Sequence, residues 1–174
     1  MIKLPNKKIN LIPIFVLIGL LIVIYFVFLS DSQIFKLNND IEVRRLNGFP
    51  ATTYTSKELE KRRLVITNEE ELAEFLNYVD ESGYLVVREN IDFNKEMLLG
   101  VSSDVNDYEG SEIKIKKLWS DKDANTLYVS IRETELGDSC ELIPNKNVTL
   151  DLVAIDITGM KVEFDRIKEI KECE

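Results

Sequence analysis

Three charged side chains, Asp92, Lys95 and Glu96, stand immediately before an apolar run in the stretch IDFNKEMLLGVSS. Two carboxylates and an amine so close in sequence could serve acid–base chemistry, in which one group donates a proton and another removes one. The same residues could instead form a polar turn that leads the chain into a buried strand. Because the chain has no histidine and no other catalytic partner is evident, we assign the charges to the start of a strand, with Phe93 and Met97 in the core.

The lack of histidine excludes further kinds of functional site. Ser-His-Asp and Cys-His catalysis both need an imidazole, and so does every zinc site with a histidine ligand. The acidic loop at 104–110 matches a calcium-binding EF-hand loop at Asp104 and Asn106. Tyr108 occupies the third ligand position, however, and Gly110 comes one residue late. We therefore expect no metal ion and no cofactor.

Carboxylates alone could still support glycan hydrolysis. Such an enzyme needs two acids held about 5–10 Å apart across a cleft. The chain has 31 acidic residues, so some pair will meet this spacing by chance and the pattern carries no information. A carboxylate-dependent hydrolase acting on cell-wall glycan is therefore kept as the alternative function, and no catalytic residue is assigned.

Four aromatic residues of the β-rich region could form a recognition surface, because aromatic side chains supply much of the energy of protein interfaces. They are Tyr84, Tyr108, Trp119 and Tyr128. Aromatic residues in β-domains more often pack in the core or against a neighbouring strand. We therefore expect packing roles for these four.

The two cysteines, Cys140 and Cys173, are the candidate disulfide pair. Outside the cytosol they could form a bond that ties the C-terminal tail to a loop 33 positions earlier. The alternative is two unpaired thiols, because the sequence does not give the Cα–Cα distance, which must be below about 7 Å.

The N-terminal 30 residues differ in composition from the rest of the chain. Residues 11–29 contain no charged side chain, and as a helix they would span roughly 28 Å, close to the thickness of a membrane's hydrocarbon core. Because this run is longer than the apolar region of most signal peptides, we interpret 1–30 as a retained membrane anchor. A cleaved signal peptide is the alternative. Residues 31–40 are then a juxtamembrane linker.

Charges on either side of the apolar run predict its orientation. Three lysines precede it and Asp31 follows it, so the N-terminus is expected in the cytoplasm and the C-terminal domain outside a single-pass anchor. Subtracting those lysines from the 22 basic residues leaves 19 against 31 acidic ones, a net charge of −12. A domain this acidic is not expected to bind nucleic acid. The acidic composition, rich in Ile, Lys and Asn, is typical of a bacterial protein.

Residues 41–174 are the expected extracytoplasmic domain, and one helix in it has a clear start. Thr67 and Glu70 fit a capping box, in which the two side chains accept hydrogen bonds from the free N–H groups of the first helical turn. Apolar residues then recur at helical spacing as far as Val79, which predicts an amphipathic helix over 68–79.

Around this helix the apolar pattern changes to that of strands. Two candidate strands precede it, at 41–46 and 63–67, and a short apolar run follows it at 84–87. Five further candidate strands then follow, at 97–103, 111–119, 126–133, 147–157 and 161–167. Thr158 and Gly159 are suited to a tight turn between the last two. These elements predict an α+β fold, with an N-terminal transmembrane helix followed by a mainly antiparallel β domain that has one early amphipathic helix.

The order of these segments resembles the PrcB C-terminal domain family. RRLVITNEEELAEFLN is similar to its strand–helix unit, IDFNKEMLLGVSS to the start of its next strand, and TLYVSIRETELGDSCELIPNKNVTLDLVAI to its later strands. The resemblance covers about residues 41–157. The matching positions are Ile66, Thr67, Asp92, Phe93, Met97, Gly100, Gly110, Val129 and Pro144.

The resemblance implies a role without catalysis. The family's namesake is an exported accessory subunit that associates with and stabilises a surface protease, and no catalytic residue is carried over from it. We therefore expect a membrane-anchored, extracytoplasmic module that binds and stabilises another exported protein, with a protease as the partner that the resemblance implies. A structural or small-ligand-sensing domain is a third hypothesis.

Overall fold

The computed structural model describes residues 41, 43–80 and 82–173. The helix of this described part is α1 (Glu69–Val79). Its strands are β1 (Arg44–Arg45), β2 (Thr52–Tyr54), β3 (Arg63–Ile66), β4 (Glu96–Ser102), β5 (Asn106–Tyr108), β6 (Glu112–Asp121), β7 (Thr126–Leu136), β8 (Pro144–Asp156) and β9 (Lys161–Lys171). The predicted anchor at 1–30 and the predicted linker at 31–40 lie outside the described residues.

Helix α1 begins one residue later than the capping pattern predicts. Asn68, not Thr67, is the N-cap, and its Oδ1 accepts a hydrogen bond from the Glu71 backbone N–H at 2.9 Å. Glu71 in turn accepts from the Thr67 backbone N–H at 2.6 Å. The reciprocal logic of the box therefore holds, but with the residues shifted by one position. At 11 residues, α1 is too short to cross a membrane, and the described part of the chain has no helix that could.

The strands form two sheets. In the larger sheet the order is β1-β8-β4-β3, β2 and β5 also pair with β8, and every pairing is antiparallel. In the smaller sheet the order is β6-β7-β9, with β6 antiparallel and β9 parallel to β7. The prediction of a mainly antiparallel β domain with one short helix is confirmed for the described residues.

Strand β8 organises the larger sheet because both of its edges are occupied. On one edge it pairs with β4 and β5, and on the other with β1 and β2. No edge is left for β9, so the tight turn predicted at Thr158 and Gly159 does not make a hairpin. The chain crosses instead to the smaller sheet, where Lys161–Lys171 runs parallel to Thr126–Leu136.

Four parts of the described chain depart from the predicted strands. The segment 41–46 contributes only the two-residue β1, and the run 84–87 forms no strand. In that run the chain is held in a loop by the Asp80 carboxylate, which accepts the Leu85 backbone N–H at 2.7 Å. Strands β2 and β5 lie in segments predicted as turns, and both form by pairing with β8.

The larger sheet is buried on both faces. Met97, Leu99 and Val101 of β4 pack between the sheets, against residues that include Val129 of the smaller sheet. Leu98, which alternates with them, packs on the opposite face in the cluster that contains residues of α1. Because both faces are covered, the central strands read as continuous apolar runs instead of alternating ones.

Gly100 fits this packing without a bulge. Strand β4 keeps a regular register on both sides of it, and a Cβ at this position would lie 3.2 Å from Ile66 Cδ1 and 3.4 Å from Phe75 Cε1. A glycine within a strand suggests either a bulge or a close approach of other atoms to the backbone. The close approach applies here, because side chains of β3 and α1 lie against the backbone of Gly100.

One ion pair, between Arg45 and a mostly buried Asp151, connects the two sheets. Asp151 of β8 accepts a hydrogen bond from Arg45 of β1 at 2.8 Å and from the Ile115 backbone N–H of β6 at 2.8 Å. Arg45 also donates to the Ile115 carbonyl at 2.6 Å. The contact lies where the register of β6 shifts between Ile115 and Lys117, so it satisfies backbone groups beside a bulge.

We expect the substitution Asp151→Ala to lower the free energy of unfolding by about 2 kcal/mol, because it leaves a backbone donor and an arginine without their acceptor. Asp156→Ala on the same strand is the matched control, since that side chain is exposed, and its effect should stay within about 0.5 kcal/mol. Urea unfolding of the full chain, followed by the fluorescence of its single tryptophan, Trp119, measures both. Equal effects of the two substitutions would contradict the assigned role.

Candidate functional site

The charged group at the start of β4 is organised for structure. Asp92 pairs with Lys95 at 3.0 Å, and its backbone carbonyl accepts the N–H of Glu96 at 2.9 Å. Hydrogen bonds from Lys95 and Asn94 hold the pKa of Asp92 below its usual value. Glu96 forms an ion pair with Arg44 of the neighbouring β1 at 2.7 Å. Both carboxylates are thus paired at the start of β4, as expected for a turn that leads into a strand.

Cys140 and Cys173 are joined by a disulfide bond in the structure, with their Cα atoms 4.9 Å apart. The bond links the loop after β7 to the tail after β9, at the end of the parallel strand pair. Hydrogen bonds reinforce it, since Ser139 donates to Glu172 at 2.7 Å and accepts from the Cys173 N–H at 2.9 Å. The loop and the tail are therefore fixed to each other at several points.

Gly137 lets the loop approach the tail closely. Its N–H donates to the Lys171 carbonyl at 2.9 Å, and a Cβ at this position would lie 2.5 Å from a Glu172 carboxylate oxygen. A larger residue would displace the Glu172 carboxylate, which accepts the hydrogen bond from Ser139. The start of the loop is thus rigidly placed, and it positions the exposed residues that follow Cys140.

Four large apolar side chains are exposed at this end of the domain, in segments that are connected by hydrogen bonds of Glu109. We call Tyr54, Tyr108, Leu142 and Ile143 the end patch. Their exposed fractions are 61%, 43%, 46% and 55%. Leu142 and Tyr108 line the same cavity of about 260 Å³. The Ile143 carbonyl accepts the backbone N–H of Glu109, the residue after Tyr108, at 3.0 Å.

Glu109 fixes the geometry of the end patch. Its carboxylate accepts hydrogen bonds from the Tyr54 hydroxyl at 3.2 Å and from the Asn145 amide at 2.6 Å. The bond to Glu109 raises the pKa of Tyr54 above its ordinary value. Strands β2 and β5 lie on opposite edges of β8, so this carboxylate joins residues from both edges at one end of the sheet.

The surroundings of the end patch are acidic. Asp107 precedes Tyr108, and Asp138 and Glu141 lie in the loop that carries Leu142. All three are exposed. The side chains of Asp138 and Glu141 make no hydrogen bond or ion pair with another described residue, whereas the charge of Asp107 contributes to the raised pKa of Lys146. An apolar surface with free carboxylates beside it is complementary to an apolar surface that has basic residues beside it.

The four aromatic residues for which packing roles are predicted do not share one environment in the structure. Trp119 and Tyr128 stack on each other across β6 and β7, with ring centroids 5.4 Å apart, which is the packing role expected for them. Tyr108 belongs to the end patch. Tyr84 is 88% exposed and lines a cavity of about 320 Å³ together with Tyr54. Packing therefore describes one pair of the four, and the other two are surface residues.

The acidic loop at 104–110 does not form a ligand cage. Asp104 accepts the Lys61 backbone N–H at 2.9 Å, and Asn106 and Tyr108 pair with β8. Within the described residues, no three cysteine or acidic side chains are grouped so that they could hold a metal ion.

Carboxyl groups whose pKa is displaced are all displaced downward in the described residues. Hydrogen bonds from backbone N–H groups lower the pKa of Glu71, Glu89 and Asp104. Burial raises the pKa of Asp80, but hydrogen bonds from Ser82 and Leu85 more than offset this, and the net shift is downward. A catalytic general acid instead needs a raised pKa.

Comparison with known proteins identifies no relative of this chain. No family model, curated protein or solved structure matches the chain. The exposed end patch and the disulfide-closed loop beside it are therefore the features from which a function can be argued.

The sequence pointed to part of this site. The cysteine pair was apparent from the number and position of the cysteines. Leu142 and Ile143 lie between the predicted strands 126–133 and 147–157, where two adjacent apolar residues between Cys140 and Pro144 are a usable signal of an exposed apolar surface. Tyr54 gave no such signal, because its place in the end patch depends on the pairing of β2 with β8.

Proposed function

We propose that the chain is a membrane-anchored, extracytoplasmic module that binds and stabilises another exported protein, and that the end patch is its binding surface. The observation that carries this proposal is the grouping of four exposed apolar side chains beside a loop fixed by a disulfide. Grouped exposed apolar residues with polar residues around them are typical of protein interaction sites. A fixed loop also reduces the entropy lost on binding.

The cellular location belongs to the same proposal. The uncharged segment 11–29 would anchor the protein, and the lysines before it would keep the N-terminus in the cytoplasm. The disulfide between Cys140 and Cys173 supports an oxidising environment for the domain, because such bonds are rare in reducing compartments.

The family resemblance and the charges beside the end patch both favour a particular class of partner. The resemblance to the PrcB C-terminal domain family favours a surface protease as the stabilised protein. The free carboxylates of Asp138 and Glu141 favour a partner surface with basic residues around an apolar centre.

We expect a photo-crosslinking amino acid at the position of Tyr108, in the full chain within its own cell membrane, to capture one predominant exported protein. The double substitution Leu142→Asp and Ile143→Asp should reduce this capture at least fivefold, because it places charge in the apolar centre of the interface. The half-life of the captured protein should shorten in the same cells. Immunoblots of crosslinked products and a pulse–chase measurement give both results.

A crosslinker at Lys122, in the exposed turn between β6 and β7, is the control for nonspecific capture. The same products from Lys122 and Tyr108 would contradict the proposal. Unchanged capture by the double variant would assign the binding to another surface.

The alternative, a carboxylate-dependent hydrolase of cell-wall glycan, gains no support from a specific observation in the described residues. Asp92 and Glu96, the acids nearest to the motif first considered, are held in ion pairs. Hydrolysis of cell-wall glycan by the purified full chain, lost on substitution of a single acid, would favour that alternative.

A further inference from the structure

Strand β3 is an edge strand with unused hydrogen-bonding groups. It pairs with β4 on one side, and no described strand pairs with its other side. The Ser102 N–H donates to the Arg62 carbonyl at 2.9 Å, which fixes the alternation of the ladder. In an antiparallel pair only every second residue bonds to the partner strand. The N–H and C=O groups of Arg63 and Val65 therefore point away from β4.

Helix α1 forms a wall beside this free edge. The groove between them encloses a cavity of about 270 Å³ that is lined by residues of both elements, among them Ile66, Glu74 and Phe75. Ile66 and Phe75 are each 1% exposed, so they form an apolar floor. Tyr78 closes one end of the groove, where its hydroxyl bonds to the backbone of Glu60.

The charges on helix α1 favour an occupant of the groove that carries a basic side chain. Glu71 is engaged with Thr67, which leaves its oxygens committed to the start of the helix. Glu74 is exposed and makes no hydrogen bond or ion pair with another described residue. A free carboxylate beside an open strand edge is complementary to a lysine or arginine on an added strand.

We propose that the groove between β3 and α1 binds an extended segment of the exported partner by strand addition. The segment would hydrogen-bond to the backbone of Arg63 and Val65, place an apolar side chain in the cavity, and present a basic side chain to Glu74. This is an established mode of peptide recognition, in which main-chain bonds give affinity and pockets give specificity. The inference deepens the proposed function, on which it rests for the identity of the occupant as a protein.

A labelled hexapeptide of alternating valine and lysine is the probe, titrated against the full chain in detergent micelles and followed by fluorescence anisotropy. We expect saturable binding below about 1 mM at low salt. A second probe, with alternate backbone amides methylated so that one edge cannot hydrogen-bond, should bind at least tenfold more weakly. No binding of the first probe, or equal binding of both, would overturn the proposal.

Variants of the chain test the two contacts separately. Arg63→Pro removes an edge N–H, and Arg63→Ala removes the same side chain but keeps the N–H. We expect the proline variant to bind at least fivefold more weakly than the alanine variant, with melting temperatures showing that both are folded. Equal affinities of two folded variants would exclude strand addition at this edge.

Glu74→Lys should weaken binding of the valine–lysine probe at least threefold and strengthen binding of a valine–glutamate probe. Asp123→Lys, in the exposed turn between β6 and β7, makes the same change in net charge away from the groove. Equal effects of Glu74→Lys and Asp123→Lys would show that only overall charge matters and would overturn the assigned contact.

The two proposals fail separately. Probe binding together with an unchanged crosslinking pattern in the end-patch variant would uphold the groove and reject the end patch. Crosslinking that depends on the end patch, without any probe binding, would do the reverse.

Discussion

Replacing both Cys140 and Cys173 by alanine is expected to lower the free energy of unfolding by about 3–4 kcal/mol. The bond closes a loop of 33 positions, and a crosslink of this length restricts the unfolded chain by about that much free energy. Urea unfolding of the full chain, followed by Trp119 fluorescence, measures the change. A reductant added to the unsubstituted chain should shift the midpoint in the same direction.

The single variants provide the controls for this result. Cys140→Ala and Cys173→Ala each break the bond and should lie near the double variant. Cys173→Ala should be slightly the more stable of the two, because it keeps the buried Cys140 sulfur, which lies 3.3 Å from the Lys171 carbonyl oxygen. A double variant as stable as the unsubstituted chain would show that the bond does not contribute to folding. We also expect the end patch to bind the partner protein more weakly, since the loop that carries Leu142 and Ile143 loses its covalent tie to the tail.

The substitutions Leu98→Ala and Leu99→Ala are each expected to cost about 2–5 kcal/mol, although the two side chains point in opposite directions. Both are fully buried, Leu98 in the cluster that includes α1 and Leu99 between the two sheets. Removing either leaves a cavity in a different layer. Urea unfolding of the two single variants measures the costs.

A sheet with one solvated face would give a different result, because one of two adjacent residues would then be exposed and its substitution nearly neutral. Ile167→Ala is the control, since this side chain is 51% exposed on β9, and it should cost less than about 1 kcal/mol. A small effect of either leucine substitution would contradict the layer assignment.

Residue patterns predicted the elements of the fold better than their pairing. Strands β4, β6, β7 and β8 and helix α1 follow from apolar periodicity, which depends on the residues of the element itself. The place of β9 does not, because it depends on whether β8 has a free edge. Both edges are taken, one of them by β1 and β2, and β2 is too short at three residues to give a periodic signal.

The same difference between local residue patterns and long-range pairing applies to the candidate site. The number of cysteines identified a candidate pair and left unpaired thiols as the alternative, whereas the end patch combines residues from β2, β5 and the loop before β8. Tyr54 and Ile143 are 89 positions apart in the sequence, and a single residue, Glu109, bonds to both, through its carboxylate to Tyr54 and through its backbone N–H to Ile143. No local pattern could bring them together.

The position of β8 also sets when the domain can form. Strands β1, β2, β4 and β5 all take a partner from a segment that ends at Asp156, so none of these pairings can form until that segment has been made. The pairs β3 with β4 and β6 with β7 lie earlier in the sequence and do not depend on it. Contacts as distant in sequence as those of β1 and β2 with β8 make folding slow. The larger sheet is therefore completed by one of its last strands to be synthesised.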